Sequence, residues 1–217
     1  MDRLQLRESI LQHKPKNVES KNMEEKIKES NVLLLKRLRS NYPNYKFNNT
    51  KIHYLREIGT TETDTSFLKP DGGFICFQYD GIEHIIGISE AKRQGTNDKR
   101  LKEGLRKQSK GNAVERSGKN YNLIQEMFRD ESILPYAIFL EGCDFNKGST
   151  IRDRVGAIFR LIESDKINLY KDIYGRAGSY FYANDGESWT SEEIMDIMYN
   201  ICIKSIKYYE SRYIFLI

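Results

Sequence analysis

Apolar and polar positions alternate along the chain with two different periods. Between Met23 and Arg39, apolar residues recur every three or four positions among charged ones. This spacing predicts a long helix with one apolar face. Tyr121 to Phe128 and Ile194 to Ile206 show the same period, which predicts a second helix and a C-terminal core helix.

Strand-like patterns occupy the middle of the chain. Phe74 to Tyr79 and Ile82 to Ser89 flank the turn dipeptide Asp80-Gly81, which predicts a β-hairpin. Tyr136 to Leu140 is continuously apolar and follows a predicted helix, as a strand buried on both faces would. A buried strand after a helix implies a crossover connection. We therefore predict an α/β fold with a mixed central β-sheet flanked by α-helices.

Two polar stretches separate these elements. Asn44 to Thr65 is rich in Asn and Thr, which predicts a connector with one short strand near Lys51 to Leu55. Asp98 to Lys110 is basic and is predicted to be partly helical. A length of 217 residues without internal repeats favours a single domain spanning residues 1–217.

Composition excludes several classes of protein. With 39% hydrophobic and 30% charged residues, the chain can bury a core and cover it with charge, unlike disordered or collagen-like chains. No stretch approaches the roughly 18 apolar residues of a membrane helix, and the N-terminus does not resemble a secretion signal. Three widely spaced cysteines and three histidines favour reduced thiols in a cytoplasmic protein and disfavour a zinc site.

Candidate catalytic residues lie at the predicted hairpin. Lys69-Pro-Asp-Gly-Gly73 precedes its first strand, and Glu90-Ala-Lys92 ends its second strand. Glu90 and Lys92 share one face of the strand because they are two residues apart, and Asp71, which opens the partner strand, can approach Glu90. Two carboxylates beside an ammonium group are suited to Mg²⁺-assisted cleavage of a phosphodiester.

A simpler interpretation competes with this one. Glu-x-Lys occurs three times in the chain, and only the copy at Glu90 follows a β-prone run. Asp71 could be an ordinary turn residue, and Glu90 with Lys92 an exposed ion pair worth at most about 1 kcal/mol. Solvated charges are unexpected, however, directly after the apolar run from Ile85 to Ile88.

The stretch from Ala91 to Lys119 carries ten Lys and Arg against three Asp and Glu, a net charge of +7 in a chain whose net charge is +4. Such a segment is suited to tracking a phosphate backbone, although charge runs are often only solvated helix faces. Within it, Asn112 and Arg116 are residue types that read purines in the major groove. From the residues alone, a helix N-cap at Asn112 and a surface cation at Arg116 are favoured.

Four motifs follow one another in the order Lys-Pro-Asp-Gly-Gly, Glu-Ala-Lys-x-Gln-Gly, Gly-Asn-Ala-Val-Glu-Arg-Ser-x-Lys-Asn and Leu-Pro-Tyr-Ala-Ile-Phe-Leu-Glu-Gly. Together they resemble the EcoRI-type restriction endonucleases of the PD-(D/E)xK nuclease superfamily. The resemblance runs from about Leu68 to Gly142.

The resemblance implies a type II restriction endonuclease in the prokaryotic cytoplasm. We expect a homodimer that cuts double-stranded DNA at a palindrome, requires Mg²⁺ and leaves 5′-phosphate ends. A cognate DNA methyltransferase would act on the same site without stable binding. By position, Asp71, Glu90 and the Ala91 carbonyl match the metal ligands, and Lys92 matches the catalytic lysine.

The resemblance also implies DNA-binding residues. Asn112, Ala113 and Arg116 match residues that read an AATT core, Glu115 matches one that buttresses them, and Lys119 matches a backbone contact. Arg160 matches the first of two arginines that read the outer base pairs, and Glu163 stands in place of the second. We therefore expect an AATT core and leave the flanking bases, and a site of four or six base pairs, open.

Other classes of protein remain as alternatives. A structure-specific or nonspecific repair nuclease of the same superfamily would share the metal site but would not need the Asn-Ala-Val-Glu-Arg motif. A DNA-binding protein with an inactive nuclease fold would not need Asp71, Glu90 and Lys92 together. A protein with only a basic surface would bind DNA weakly and without sequence preference.

Overall fold

The computed structural model describes residues 18–54, 67–95, 100, 102–105, 112–159, 162–185 and 187–214. Its centre is a five-stranded mixed sheet. From one edge to the other, the strands are Lys46–Thr50 (β1), Phe74–Tyr79 (β4), Ile82–Arg93 (β5), Tyr136–Glu141 (β6) and Ser179–Tyr182 (β7). A second, two-stranded sheet pairs His53–Tyr54 (β2) with Phe67–Leu68 (β3). The predicted fold class is confirmed.

Helices cover both faces of the central sheet. They are Val18–Asn41 (α1), Asn112–Met127 (α2), Thr150–Ile158 (α3) and Ser191–Ile214 (α4), with a short 3₁₀ helix at Cys143–Phe145. Apolar residues of α1 and α4 form one buried cluster with one face of the sheet, and those of α2 and α3 form another with the opposite face. The chain therefore folds as three layers, with the sheet in the middle.

The predicted hairpin forms and extends further than expected. Asp80 and Gly81 have φ angles of 48° and 76°, the left-handed pair that a tight hairpin turn requires. Strand β5 continues past Ser89 to Arg93, because beyond the hairpin it pairs in parallel with β6. Helix α2 makes the crossover between these two parallel strands. Glu90 and Lys92 consequently lie in the part of β5 that pairs in parallel with β6.

Other local predictions need correction. The stretch from Asn44 to Thr65 contains an edge strand, β1, in addition to the expected short strand, which is present as β2. In β1 only Phe47 is buried, so the strand is held chiefly by backbone pairing that apolar patterning does not reveal. Helix α2 begins at Asn112, well before the predicted Tyr121. Most of the predicted helical stretch from Asp98 to Lys110 lies outside the described residues.

Candidate active site

A tight turn carries Asp71 to the end of strand β5. The Gly73 amide donates to the Pro70 carbonyl at 3.0 Å, which closes the turn, and the Gly72 amide donates to the Ser89 carbonyl at 2.9 Å. Asp71 therefore lies in a turn just before β4. The sequence predicted it at the start of that strand. The bond to Ser89 fixes the turn beside the strand that carries Glu90.

Two asparagines hold the same turn from the other side. The Gly72 carbonyl accepts hydrogen bonds from Asn31 Nδ2 of α1 at 2.7 Å and from Asn49 Nδ2 of β1 at 3.3 Å. Sequence reasoning missed both residues. Asn31 offered a signal, because it lies four residues after Ile27 and three before Leu34 on the apolar stripe of α1. A polar residue in an apolar stripe needs a buried partner.

The three predicted catalytic side chains converge on one point. The Lys92 ammonium nitrogen lies 2.9 Å from Asp71 Oδ2 and 2.5 Å from Glu90 Oε1. It also donates to the Ala91 carbonyl at 3.0 Å. The ammonium group therefore contacts the three oxygens that the sequence proposed as ligands of a metal ion.

Further hydrogen bonds fix the two carboxylates. The Ala91 amide donates to Asp71 Oδ2 at 3.0 Å, and the Asp71 amide lies 3.3 Å from Glu90 Oε2. From helix α2, Asn120 Nδ2 donates to Glu90 Oε1 at 3.2 Å. Asn120 ends one of the four motifs, but sequence reasoning gave it no role. The Asp71 carboxylate is thus held by two groups of strand β5, and the Glu90 carboxylate by groups of β5, the turn and helix α2.

Burial excludes the simpler interpretation of the charges. Glu90 is only 1% exposed, and the side chain of Lys92 is 19% exposed, so the pair is not a solvated surface ion pair. Burial alone would lower the pKa of Lys92, but the neighbouring Glu90 and Asp71 carboxylates outweigh it and raise that pKa. Burial raises the pKa of Glu90, and Lys92 opposes that shift. Glu90 therefore needs a cation beside it to remain ionised.

The donor set fits a hard divalent cation. Two carboxylates and a backbone carbonyl supply oxygen ligands, which Mg²⁺ prefers, and leave further positions for water and phosphate. The position that Lys92 Nζ takes among these oxygens shows that a positive group can be accommodated there. Among the described residues, no group of three or more His, Cys, Asp or Glu side chains forms an alternative metal cluster.

The carboxylates face an open cleft of about 500 Å³. Helix α1 contributes Met23 and Glu24 to its lining, and α2 contributes Lys119 and Asn120. Lys69, Lys92 and Arg93 add positive charge to the lining. A cleft with basic groups around buried acidic groups can accept a phosphate backbone and bring a phosphate to the carboxylates.

The structure describes only part of the predicted DNA-reading residues. Asn112, Ala113 and Arg116 occupy the first turns of α2, but their side chains lie outside the described residues, as does all of Arg160. Glu115 is exposed on the same helix. Because α2 begins at Asn112, this residue lies in the first turn of the helix, and both of its interpretations stay predictions.

Comparison with known proteins identifies the family. The family model described as restriction endonuclease EcoRI matches residues 14–170. The chain belongs to the EcoRI family of restriction endonucleases. The predicted family and class of enzyme, a restriction endonuclease, are therefore confirmed. Asp71, Glu90, Lys92 and Asn120 all lie within the matched region, whereas α4 lies beyond it.

Two type II restriction enzymes show how far the similarity extends. The chain is 30% identical over 186 residues to the type II restriction enzyme EcoRI of Escherichia coli, a match that covers 69% of this chain and 67% of the relative. It is 26% identical over 179 residues to the type II restriction enzyme RsrI of Cereibacter sphaeroides, with 66% and 65% covered. The chain thus spans about two thirds of each relative. In the described part of the chain, no helix is long and apolar enough to cross a membrane.

Proposed function

We propose that this chain is a type II site-specific deoxyribonuclease that cleaves double-stranded DNA at a short palindrome with an AATT core. It acts as a homodimer with Mg²⁺, leaves 5′-phosphate ends and forms one domain over residues 1–217. The observation that carries the proposal is the convergence of Asp71, Glu90 and Lys92 at the cleft of an EcoRI-family fold.

Phosphodiester hydrolysis is so slow without a catalyst that the barrier must fall by on the order of 20 kcal/mol. Asp71, Glu90 and the Ala91 carbonyl would hold Mg²⁺, which supplies Lewis-acid polarisation of the phosphate and acidifies a bound water. The protein's own contribution is to fix these ligands before DNA arrives. The turn contacts of Gly72 and the backbone bonds to both carboxylates do this.

Lys92 acts in this mechanism as a fixed positive charge. A general base near neutral pH would need a lysine pKa close to 7, far below the ordinary value of about 10.4. The neighbouring carboxylates move the pKa of Lys92 in the opposite direction. The ammonium group therefore orients the attacking water and stabilises negative charge on the pentavalent phosphorus, and the proton of the water passes to solvent or to a DNA phosphate.

Sequence recognition is assigned to the start of helix α2. Asn112, Ala113 and Arg116 would read the AATT core from the major groove, with Glu115 as a buttress and Lys119 on the backbone. Lys119 lines the cleft, which supports its part of this assignment. Arg160 would read an outer base pair. The enzyme would work in the bacterial cytoplasm as half of a restriction-modification system, and its methyltransferase would protect the same site without stable binding.

Digestion of plasmid DNA with millimolar Mg²⁺, followed by sequencing of the fragment ends, tests the proposal. Controls contain EDTA or the Asp71→Ala variant. Discrete ends at one palindrome containing AATT would support the proposal and reveal the flanking bases. Random ends would instead indicate a nonspecific repair nuclease, and intact DNA with a sequence-specific gel shift would indicate a DNA-binding protein without activity.

A further inference from the structure

Glu90 receives its hydrogen bonds from three separate parts of the fold. Oε1 is contacted by Lys92 from the same strand and by Asn120 from helix α2, whereas Oε2 is contacted by the Asp71 amide from the turn. Lys92 and Asp71 belong to the proposed catalytic group. Asn120 is the contact that comes from the helix assigned to DNA recognition, and nothing in the mechanism above uses it.

Asn120 lies at the edge between the core and the cleft. Among the side chains of α2 that the structure describes, the buried ones pack toward the sheet and α3. They are Val114, Ser117, Tyr121 and Ile124. Asn120 is partly exposed and lines the cleft beside Lys119. Its amide can therefore reach Glu90 while the helix remains anchored on its apolar side.

Helix geometry connects Asn120 with the recognition positions. Asn120 follows Ala113 by seven residues and Arg116 by four, spacings that place all three positions on one stripe of an α-helix. It lies eight residues after Asn112, roughly 12 Å along the helix axis. Because the helix is continuous from Asn112 to Met127, a displacement of its first turns would also displace the amide that holds Glu90.

We propose that Asn120 is a positioning residue through which helix α2 fixes the carboxylate of Glu90 for metal binding. This inference rests on the proposed function, because it takes Glu90 as a metal ligand and α2 as the recognition helix. DNA that seats α2 correctly would leave Glu90 in place, and DNA that displaces α2 would withdraw the hydrogen bond. Site recognition would then control metal binding directly.

The experiment measures Mn²⁺ binding to the DNA-free protein by electron paramagnetic resonance of the free ion. Mn²⁺ is the probe because it prefers the same oxygen ligands as Mg²⁺. Removal of a hydrogen bond to a metal ligand typically weakens metal binding or activity about 10- to 100-fold. We expect Asn120→Ala to bind Mn²⁺ at least about 10-fold more weakly than the unsubstituted protein.

Asn122→Ala is the matched control, since Asn122 lies exposed on the same helix two residues further on. It should bind Mn²⁺ like the unsubstituted protein. Asn120→Leu removes the amide without opening space and should repeat the loss seen with Asn120→Ala. Asn120→Gln keeps an amide and should recover part of the affinity. Thermal unfolding of each variant identifies any that does not fold.

A cleavage rate and a DNA dissociation constant separate positioning from a DNA contact. For Asn120→Ala we expect slower single-turnover cleavage at saturating DNA and an unchanged Kd for the cognate duplex in EDTA. Unchanged Mn²⁺ affinity in Asn120→Ala and Asn120→Leu would overturn the inference, whether or not DNA binding weakens. If the unsubstituted protein does not cut DNA, the proposed function fails, and the Mn²⁺ comparison still decides the role of Asn120.

Discussion

The Lys92 ammonium group contacts the same three oxygens that are proposed to bind a divalent cation. Without a cation from solution, it neutralises the buried Glu90 and the neighbouring Asp71. If Mg²⁺ takes this position, we propose that the Lys92 ammonium group turns toward the phosphate, because two positive groups cannot share one position. This shift would place its charge where negative charge develops during attack.

Variants of Lys92 distinguish a fixed charge from a proton-abstracting base. We expect Lys92→Arg to keep measurable cleavage, and Lys92→Met to lose about 100- to 1000-fold in rate, the usual cost of removing one transition-state contact. Because the pKa of Lys92 is raised, its ammonium stays protonated between about pH 6 and 9. The pH profiles of the unsubstituted enzyme and Lys92→Arg should therefore run parallel in single-turnover assays.

A general base would give a different pattern. Arginine cannot accept a proton at these pH values, so Lys92→Arg would be as inactive as Lys92→Met. The unsubstituted enzyme would then also gain activity with pH in a way that Lys92→Arg does not. Either result would contradict the assignment of Lys92 as a fixed charge.

The turn that carries Asp71 depends on a glycine for reasons of space. A Cβ on Gly72 would lie 1.9 Å from Ser89 Oγ and 2.9 Å from Ile27 Cγ2, and no real Cβ approaches other atoms so closely. We expect Gly72→Ala to move the turn away from strand β5, to destabilise the fold by roughly 1–3 kcal/mol and to abolish cleavage. Thermal unfolding and the plasmid assay measure these two effects.

Gly156→Ala is the matched control for this substitution. Gly156 lies in helix α3, where an added Cβ meets nothing within 4 Å, so alanine should stabilise the helix by up to about 1 kcal/mol. Ser89→Ala in the Gly72→Ala background removes the closest clashing atom and should recover part of the stability. Equal stability of Gly72→Ala and the unsubstituted protein would contradict the packing of this turn.

Local patterns predicted those elements that are long or strongly patterned. The hairpin, β6 and the two long helices follow from period and apolar runs, and the approach of Asp71 to Glu90 follows from the hairpin itself. Strand β7 has only four residues, too few to show a period. Helix α3 carries Ile151, Val155 and Ile158 at helical spacing, a signal that sequence reasoning did not use. The contact of Asn31 with Gly72 joins residues 41 positions apart, so it arises only when α1 packs on the sheet.

Pairing of two copies of the chain should give one active site for each DNA strand. We expect mixed dimers with one Asp71→Asn subunit to nick a supercoiled plasmid and to accumulate open circles, because one ligand set is broken. Asp71→Asn homodimers should be slower than the unsubstituted enzyme by at least about 100-fold. Gel electrophoresis over time separates supercoiled, nicked and linear DNA.

The unsubstituted dimer is the control and should give linear DNA. Mixed dimers that linearise the plasmid as fast as unsubstituted dimers would show that one active site cuts both strands. Sedimentation measures whether the protein on DNA is a monomer or a dimer. A protein that nicks the plasmid and sediments on DNA as a monomer would contradict the proposed homodimer.

The most direct test of the account compares cleavage rates on defined duplexes with Mg²⁺. In the first pool, every duplex contains AATT, and the bases on its two sides vary over all self-complementary combinations. In the second pool, one base pair of the AATT core is changed. Each changed base pair should cost about 1–3 kcal/mol, or roughly 5- to 150-fold in rate, and cleavage should vanish with EDTA or with Asp71→Asn. Equal rates on the two pools, or cleavage that persists in EDTA, would contradict a metal-dependent AATT endonuclease.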